Sequence, residues 1–268
     1  NPHFNLTEAL IKKAEAGAAK GASALIFYNS SQIADSLKFN GKERVDPVKI
    51  PVLFLTNDAK KKYLSDESAT LDMKLKVDIG DKKRTGNNVI GRIDNNAATT
   101  VVLGAHYDHL GYGEDGNSLQ PGNGKLIHNG ADDNASGTAA LIELAGQLKK
   151  SKNKNTNYLF VAFSGEELGL HGSKYFTEHA PIDLKAVNYM VNMDMVGRLS
   201  ETSKTLTIGG IGTSPAWSQI FSLVNKKKPF NVKFDSSGTG PSDHSSFYSK
   251  DIPLLFFFTG LNTDYHKP

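Results

Sequence analysis

The sequence predicts an α/β fold, a three-layer sandwich around a mixed, largely parallel β-sheet, with a smaller α/β unit ahead of it. From about residue 87 onward, apolar runs of strand length alternate with segments of helical periodicity. One run, "TTVVLGAHYD", is nearly continuous in apolar residues, as a strand buried on both faces of a sheet should be. A chain of 268 residues can bury one large core, or one core and a small domain.

The first segment has its own short elements. A helix is predicted over 6–20, because four apolar residues recur there at helical spacing: Leu6, Leu10, Ala14 and Ala18. "ASALIFYN" and "IPVLFLTN" are predicted strands, and "DAKKKYL" is a predicted short helix. The polar stretch "SDESAT" follows. We therefore expect two domains, 1–68 and 69–268.

The second segment continues with strands and helices in alternation. "LDMKLKVDI" alternates like a half-exposed antiparallel strand, and "NNVIGRI" follows it. The later predicted strands are "NYLFVAF", "AVNYMVNM", "TLTI" and "IPLLFFF". The predicted helices are "TAALIELAGQL", "ELGLHGSKYF" and "SPAWSQIFSLVNKKK". Such alternation favours helices on both faces of one sheet.

Composition excludes several classes of function. The formal charge is +3, and the lysine clusters have no interleaved aromatic residues, so no nucleic-acid partner is expected. The chain has no cysteine, which excludes disulfides and thiolate metal sites. No apolar run approaches the ~20 residues of a membrane helix. The chain begins at Asn1 without an apolar signal segment, so a processed or trimmed product is expected.

Polar residues cluster where the predicted strands end, which is where ligands bind in open α/β sheets. They are His106 and Asp108, Glu166 and Glu167, Asp194, His266, and the pair Asp132 and Asp133 in "GADDNASG". Imidazole and carboxylate without thiolate form the ligand set of a hydrolytic zinc site. Adjacent aspartates repel each other, and this repulsion is relieved if one of them bridges two cations and the other supports it.

Other interpretations remain open at this point. "GADDNASG" with Glu143 matches positions of an EF-hand calcium loop, but "SLQPGNGKLIHNG" supplies no leading helix. Any one of these residues alone is more often structural than a ligand. Glu166 and Glu167 are consecutive, so their side chains diverge, and spacing does not say which is a ligand and which a base. Three further histidines, His109, His128 and His244, receive no assignment beyond lining a cleft.

The motifs resemble those of a known family. "GAHYDHLG", "GADDNASGTAALIELA", "AFSGEELGLHGS", "NMDMVGR", "SDHSSF" and "DYH" are similar to segments of the co-catalytic di-zinc aminopeptidases. That superfamily also contains glutaminyl cyclase and glutamate carboxypeptidase. The similarity extends over about 87–266, in order and with several residues in each motif.

The resemblance implies a role for each residue of the cluster. Two Zn²⁺ ions per chain are expected, with Asp132 bridging them through a cis peptide bond to Asp133. His106 and Asp194 would complete one zinc site, and Glu167 and His266 the other. Glu166 would be the general base and Tyr265 would polarise the substrate carbonyl. Four residues would support the ligands or line the cleft: Asp108, Asp133, Asp243 and His244.

The implied activity is removal of the N-terminal residue from peptides with a free N-terminus. A glutaminyl cyclase, a carboxypeptidase-like relative and a non-catalytic binding homologue are the alternatives. The first segment looks like the latter part of a protease-associated domain, and the chain stops two residues after His266, where relatives continue. A secreted or periplasmic location is implied by resemblance alone. Oligomeric state is open, with a monomer as the expectation.

Overall fold

A computed structural model describes residues 5–31, 33–35, 37, 45–66, 68, 70, 72–80, 83–122, 124–224 and 230–268. The chain divides into two compact units, Asn1–Lys83 and Arg84–Pro268. The expected boundary between 68 and 69 therefore moves to the end of Lys83. The strand predicted for "LDMKLKVDI" was wrong, because residues 72–80 are all exposed and form no strand. Their alternating pattern has no neighbouring strand to pair with among the described residues.

The first unit contains the four elements that its sequence predicts. They are α1 (Leu6–Ala19), β1 (Leu25–Tyr28), β2 (Val52–Leu55) and α2 (Asn57–Tyr63). The two strands pair in parallel. The helices begin where side-chain oxygens of Asn5 and Thr56 accept hydrogen bonds from backbone N–H groups of the first turn, which have no partner inside the helix.

The second unit is built on a seven-stranded sheet in the order β3-β5-β4-β6-β9-β7-β8. Its strands are β3 (Val89–Ile93), β4 (Thr100–His106), β5 (Asn157–Phe163), β6 (Val187–Met193), β7 (Thr205–Gly209), β8 (Asn231–Phe234) and β9 (Leu254–Phe258). The β3–β5 and β7–β9 pairs are antiparallel, and the others are parallel. The predicted mixed, largely parallel sheet is confirmed.

Helices cover both faces of this sheet, as the sequence predicts. They are α3 (Gly137–Lys150), α4 (His171–Glu178), α5 (Ala216–Val224) and α6 (His244–Tyr248). On one face, Phe176 of α4 and Phe247 of α6 pack edge-on or tilted against Phe163 of β5. On the other face, Leu141 of α3 joins a separate cluster with Val101. Successive side chains of the central strands pack alternately into the two cores, because side chains along a strand alternate in direction.

The parallel strands determine where the polar residues meet. β4, β5, β6 and β9 run in the same direction, so their carboxyl ends lie along one edge of the sheet. Every residue of β4 is buried, which fixes its last residue, His106, against a well-packed core. Within the described parts of the chain, no helix is both long and apolar enough to cross a membrane.

Candidate metal centre

Five side chains from different parts of the sequence meet at this edge. His106 is the last residue of β4, Asp194 follows β6 directly, and Glu167 lies in the turn after β5. His266 arrives on the segment that follows β9. Asp133 comes from the irregular turn Ala131–Ser136 ahead of α3.

The carboxylate of Asp133 lies between two imidazoles. Its Oδ1 is 3.3 Å from Nε2 of His106, and its Oδ2 is 3.4 Å from Nε2 of His266. Asp194 approaches the first imidazole at 3.4 Å, and Glu167 approaches the second at 3.1 Å. Each imidazole nitrogen therefore faces one oxygen of the shared Asp133 carboxylate and one oxygen of a carboxylate that it does not share.

The expectation that Asp132 occupies the shared position is corrected. The Oδ1 atom of Asp132 accepts a hydrogen bond from the N–H of Gly197 at 2.9 Å, and its Oδ2 lies 3.5 Å from Nδ2 of Asn262. The cis peptide bond expected between Asp132 and Asp133 is found one residue later, between Asp133 and Asn134. The two aspartates point in different directions because the backbone leaves helical geometry at Asp133.

Both imidazoles turn a lone pair toward the carboxylates. Nδ1 of His106 donates to the carbonyl of Asp108 at 3.0 Å, and Nδ1 of His266 donates to the carbonyl of Asn117 at 3.0 Å. A carbonyl only accepts, so in each neutral ring Nε2 carries the lone pair. Nε2 of His266 is buried without a hydrogen-bond partner among the described residues. A lone pair facing carboxylates is repulsive unless a cation lies between them.

The pKa of His106 reflects the negative charge that surrounds its ring. Burial by itself lowers the pKa of this histidine, but the nearby carboxylates of Asp133 and Asp194 outweigh it and raise the pKa to about 12. His106 is only 1% exposed, so its surroundings offer little solvent to screen the carboxylates. A proton on His106 offsets part of this negative charge, and metal ions bound beside the two imidazoles would offset more of it.

The spacing of the donor atoms fits a metal better than direct ion pairs. Ligands at about 2.0–2.2 Å from a tetrahedral zinc ion lie about 3.4 Å from one another. The four nitrogen–oxygen separations are 3.1–3.4 Å. Charge-assisted N–H···O bonds are shorter, at roughly 2.7–2.9 Å. The nitrogen and oxygen donors present therefore fit zinc.

The turn that carries Asp133 is fastened to the end of β6 by Asn134. Its Nδ2 donates to the carbonyl of Met193 at 3.0 Å, and its Oδ1 accepts from the N–H groups of Gly137 and Met195. A Cβ at Gly137 would lie 2.4 Å from the carbonyl oxygen of Met193, so glycine permits this close approach. Asn134 is 2% exposed, and its bonds fix the direction of the neighbouring Asp133.

Asp108 braces the turn after β5. Its carboxylate oxygens accept from the backbone N–H groups of Glu166 at 3.1 Å and of Glu167 at 3.3 Å. Its carbonyl also receives the Nδ1 proton of His106. Burial, together with nearby carboxylates, raises the pKa of Glu166 to about 9 despite the opposing effect of His106. Glu166 is thus a carboxyl group whose proton affinity is far above that of an exposed glutamate.

A cavity of about 500 Å³ adjoins the centre. It is lined by, among others, His109, Asp132, Asp133, Arg198, Tyr265 and His266. The ring of Tyr265 stacks on that of His266 with 3.9 Å between centroids. Burial and the nearby Asp133 raise the pKa of Tyr265, so its hydroxyl stays protonated and can donate a hydrogen bond toward the cavity.

Asp243 and His244 do not line the cleft, contrary to expectation. They are 0% and 2% exposed, because α6 begins at this point and packs against β9, where the ring of His244 stacks on Phe256. Burial raises the pKa of Asp243 to about 7. The nearby hydroxyl of Ser173 acts against this rise in the pKa of Asp243. The hydrogen bonds of that hydroxyl are with the carbonyl of Leu170 and the hydroxyl of Ser246. Neither residue touches the cavity beside Asp133.

His109 lines the cavity as expected, but the sequence did not predict its contact with the centre or that of Asn117. Nδ1 of His109 lies 2.6 Å from Oε1 of Glu167. Asn117 offers its carbonyl to His266 and its Nδ2 to the carbonyl of Glu167 at 3.2 Å. Both lie on the loop between β4 and α3. The only available signal was the position of His109 three residues after His106, which does not reveal a contact with Glu167.

Comparison with known proteins identifies the family of the chain. The sequence model of peptidase family M28 matches residues 88–268, and this range includes every residue of the centre. The chain belongs to peptidase family M28. Aminopeptidase YwaD of Bacillus subtilis is 28% identical over 96% of this chain and 54% of its own length. An aminopeptidase of Pseudomonas aeruginosa PAO1 is 31% identical over 93% of this chain and 45% of its own length.

Solved structures agree as well. BSAP, a zinc aminopeptidase from Bacillus subtilis, matches with a TM-score of 0.56 and 26% identity, over 97% of this chain and 60% of that chain. Glutaminyl cyclase of Bacteroides thetaiotaomicron matches at 19% identity with a TM-score of 0.52, which shows a shared fold alone. The chain spans about half the length of the curated relatives that it matches.

Proposed function

We propose that this M28 chain is the catalytic part of a zinc-dependent aminopeptidase that binds two zinc ions and removes the N-terminal residue from peptides. The observation that carries the proposal is the position of Asp133. Its two oxygens face the Nε2 atoms of His106 and His266, as a carboxylate shared by two ions requires. His106 and Asp194 would hold one ion, and Glu167 and His266 the other.

The protein residues would divide the chemistry between them. Zinc supplies Lewis acidity and makes water a stronger acid. Glu166 takes the proton from the attacking water and passes it to the leaving amine, because its carboxyl group lies close enough to His106 and Asp194 to interact with both. Asp108 keeps Glu166 in place through the backbone N–H. The hydroxyl of Tyr265 donates to the oxygen of the scissile carbonyl as negative charge develops on it.

The cavity supports a peptide with a free N-terminus as substrate. Its acidic lining includes Asp132, Asp133 and Asp264, and Asp264 is paired with Arg198. Asp132 lines the cavity wall and accepts hydrogen bonds from the N–H of Gly197 and the side-chain amide of Asn262. An α-ammonium group entering this space meets carboxylates near the scissile bond.

The test is the substitution Glu166→Gln. Glutamine keeps the size of the side chain but cannot act as the base, so kcat on an aminoacyl-nitroanilide should fall about 10²–10⁴-fold. Zinc content should remain two ions per chain. The control is Glu178→Gln at the exposed end of α4, which should leave both quantities unchanged. Unchanged turnover in Glu166→Gln, or cyclisation of glutaminyl peptides without nitroanilide hydrolysis, would overturn the proposal.

Two further features belong to the same proposal. The parallel β1–β2 pair with α1 and α2 supports the first unit as part of a protease-associated domain.

A location outside the cytoplasm is supported by a relative named probable lipoprotein aminopeptidase LpqL, from Mycobacterium tuberculosis, which is 31% identical over 93% of this chain. Detection of the full-length protein in culture supernatant or envelope fractions tests the location.

A further inference from the structure

His109 is the residue beside the metal centre to which the proposed chemistry gives no role. It lies on the loop between β4 and α3, lines the cavity, and has a side chain that is 13% exposed. Its Nδ1 lies 2.6 Å from Oε1 of Glu167. An ionised carboxylate only accepts hydrogen bonds, so His109 is the donor.

His109 is placed near enough to be a metal ligand, but its distance from Glu167 indicates a different role. Two donor atoms on one tetrahedral zinc ion lie about 3.4 Å apart, whereas 2.6 Å is the length of a strong hydrogen bond. The other oxygen of Glu167, Oε2, lies 3.1 Å from Nε2 of His266. Glu167 thus gives Oε1 to His109 and turns Oε2 toward the position that it shares with His266.

The ring of His109 is confined on several sides. It meets the ring of His266 edge-on with 5.9 Å between centroids, and it meets that of His128 at 6.4 Å. Gly130, at φ 62°, lies so close that a Cβ there would be 2.9 Å from the His109 ring. His128 is itself held by the hydroxyl of Ser118 at 2.7 Å. The donor to Glu167 therefore has a fixed orientation.

We propose that His109 is a positioning residue for the zinc site formed by Glu167 and His266. By donating to Oε1 it holds the carboxylate of Glu167 with Oε2 directed to the metal, and it keeps Oε1 from swinging into the same position. The inference rests on the proposed function, because it requires that zinc binds. Partners of this kind are worth about 10–100-fold in metal affinity.

The experiment measures zinc dissociation constants of the whole chain by chelator competition for the wild type and three variants. His109→Leu removes the donor at similar volume and should weaken one of the two zinc ions about 10–100-fold. His109→Asn places an amide N–H where Nδ1 stood and should restore nearly wild-type affinity. His179→Leu is the control, because His179 is exposed and stacks on Tyr175 at the end of α4.

Each outcome has one meaning. Equal loss of affinity in His109→Asn and His109→Leu would identify His109 as a ligand and overturn the proposal. Wild-type affinity in His109→Leu would overturn it as well, because zinc binding would then not need the donor. If His109→Leu does not fold, His109→Ala replaces it as the variant without a donor, and the donor role predicts weakened zinc binding in His109→Ala with retained affinity in His109→Asn. A wild-type chain that binds no zinc would refute the proposed function itself, whereas intact binding in every variant refutes only the role of His109.

Discussion

The substitution Asp133→Asn removes the negative charge that the two imidazoles share while it keeps the shape of the side chain. Unit charges about 3.3 Å apart interact by about 5 kcal/mol at an effective dielectric constant of 20. Oδ1 of Asp133 lies 3.3 Å from Nε2 of His106, and a cation between these atoms would be closer still. At 1.4 kcal/mol per tenfold change, zinc affinity should fall by at least about 10³-fold.

The matched control is Asp132→Asn at the adjacent position. The amide oxygen of asparagine can still accept the 2.9 Å hydrogen bond from the N–H of Gly197, and no imidazole of the described residues is hydrogen-bonded to this side chain. Desalted protein is assayed for zinc content and for turnover of an aminoacyl-nitroanilide. We expect Asp132→Asn to retain two ions and Asp133→Asn to lose both. Retention of two ions by Asp133→Asn, with loss in Asp132→Asn, would refute the assignment drawn from the geometry.

Two other predictions test the surroundings of the centre. Tyr265→Phe keeps the ring that stacks on His266 and should retain zinc, while kcat falls about 10²–10³-fold if the hydroxyl stabilises the oxyanion; an unchanged kcat would leave Tyr265 a packing role only. Phe163→Leu loses two ring contacts, each 6.0 Å between centroids, with Phe176 and Phe247. At about 0.5–1.5 kcal/mol per pair, the free energy of unfolding in urea should drop by about 1–3 kcal/mol, and no measurable drop would contradict the packing described for that face.

Strand-end residues could be predicted from the sequence because strand direction and hydrophobic pattern determine where a strand stops. His106, Asp194 and Glu167 follow apolar runs that became β4, β6 and β5, and they meet at one edge. β8 was missed because "NVKF" is short and mostly exposed, so its pattern is weak. α6 was not predicted, because its five residues give no clear periodicity, and Asp243 and His244 at its start were expected to support the ligands or line the cleft.

The sequence pattern could not show whether Asp132 or Asp133 provides the shared carboxylate. The two are consecutive in an irregular turn, and their directions depend on backbone angles such as φ −106° and ψ 92° at Asp133. The contact of His109 was missed for a different reason, since its partner Glu167 lies 58 residues away in sequence. Contacts of this kind depend on how the loop between β4 and α3 folds, and hydrophobic periodicity carries no information about that.

If two zinc ions bind as proposed, the carboxylate of Asp133 would link the two metal positions thermodynamically. Asn134 holds the backbone beside Asp133, and the first ion to bind would fix the side-chain rotamer of Asp133. The second ion would then meet an oxygen already in place, at a smaller loss of conformational entropy. Zinc loading should then be cooperative. The two histidines are also held differently. His106 is the last residue of a buried central strand, whereas His266 is oriented by a hydrogen bond to the carbonyl of Asn117 in a loop. The ion beside His266 should exchange first, and when zinc is scarce the population should divide into filled and empty molecules.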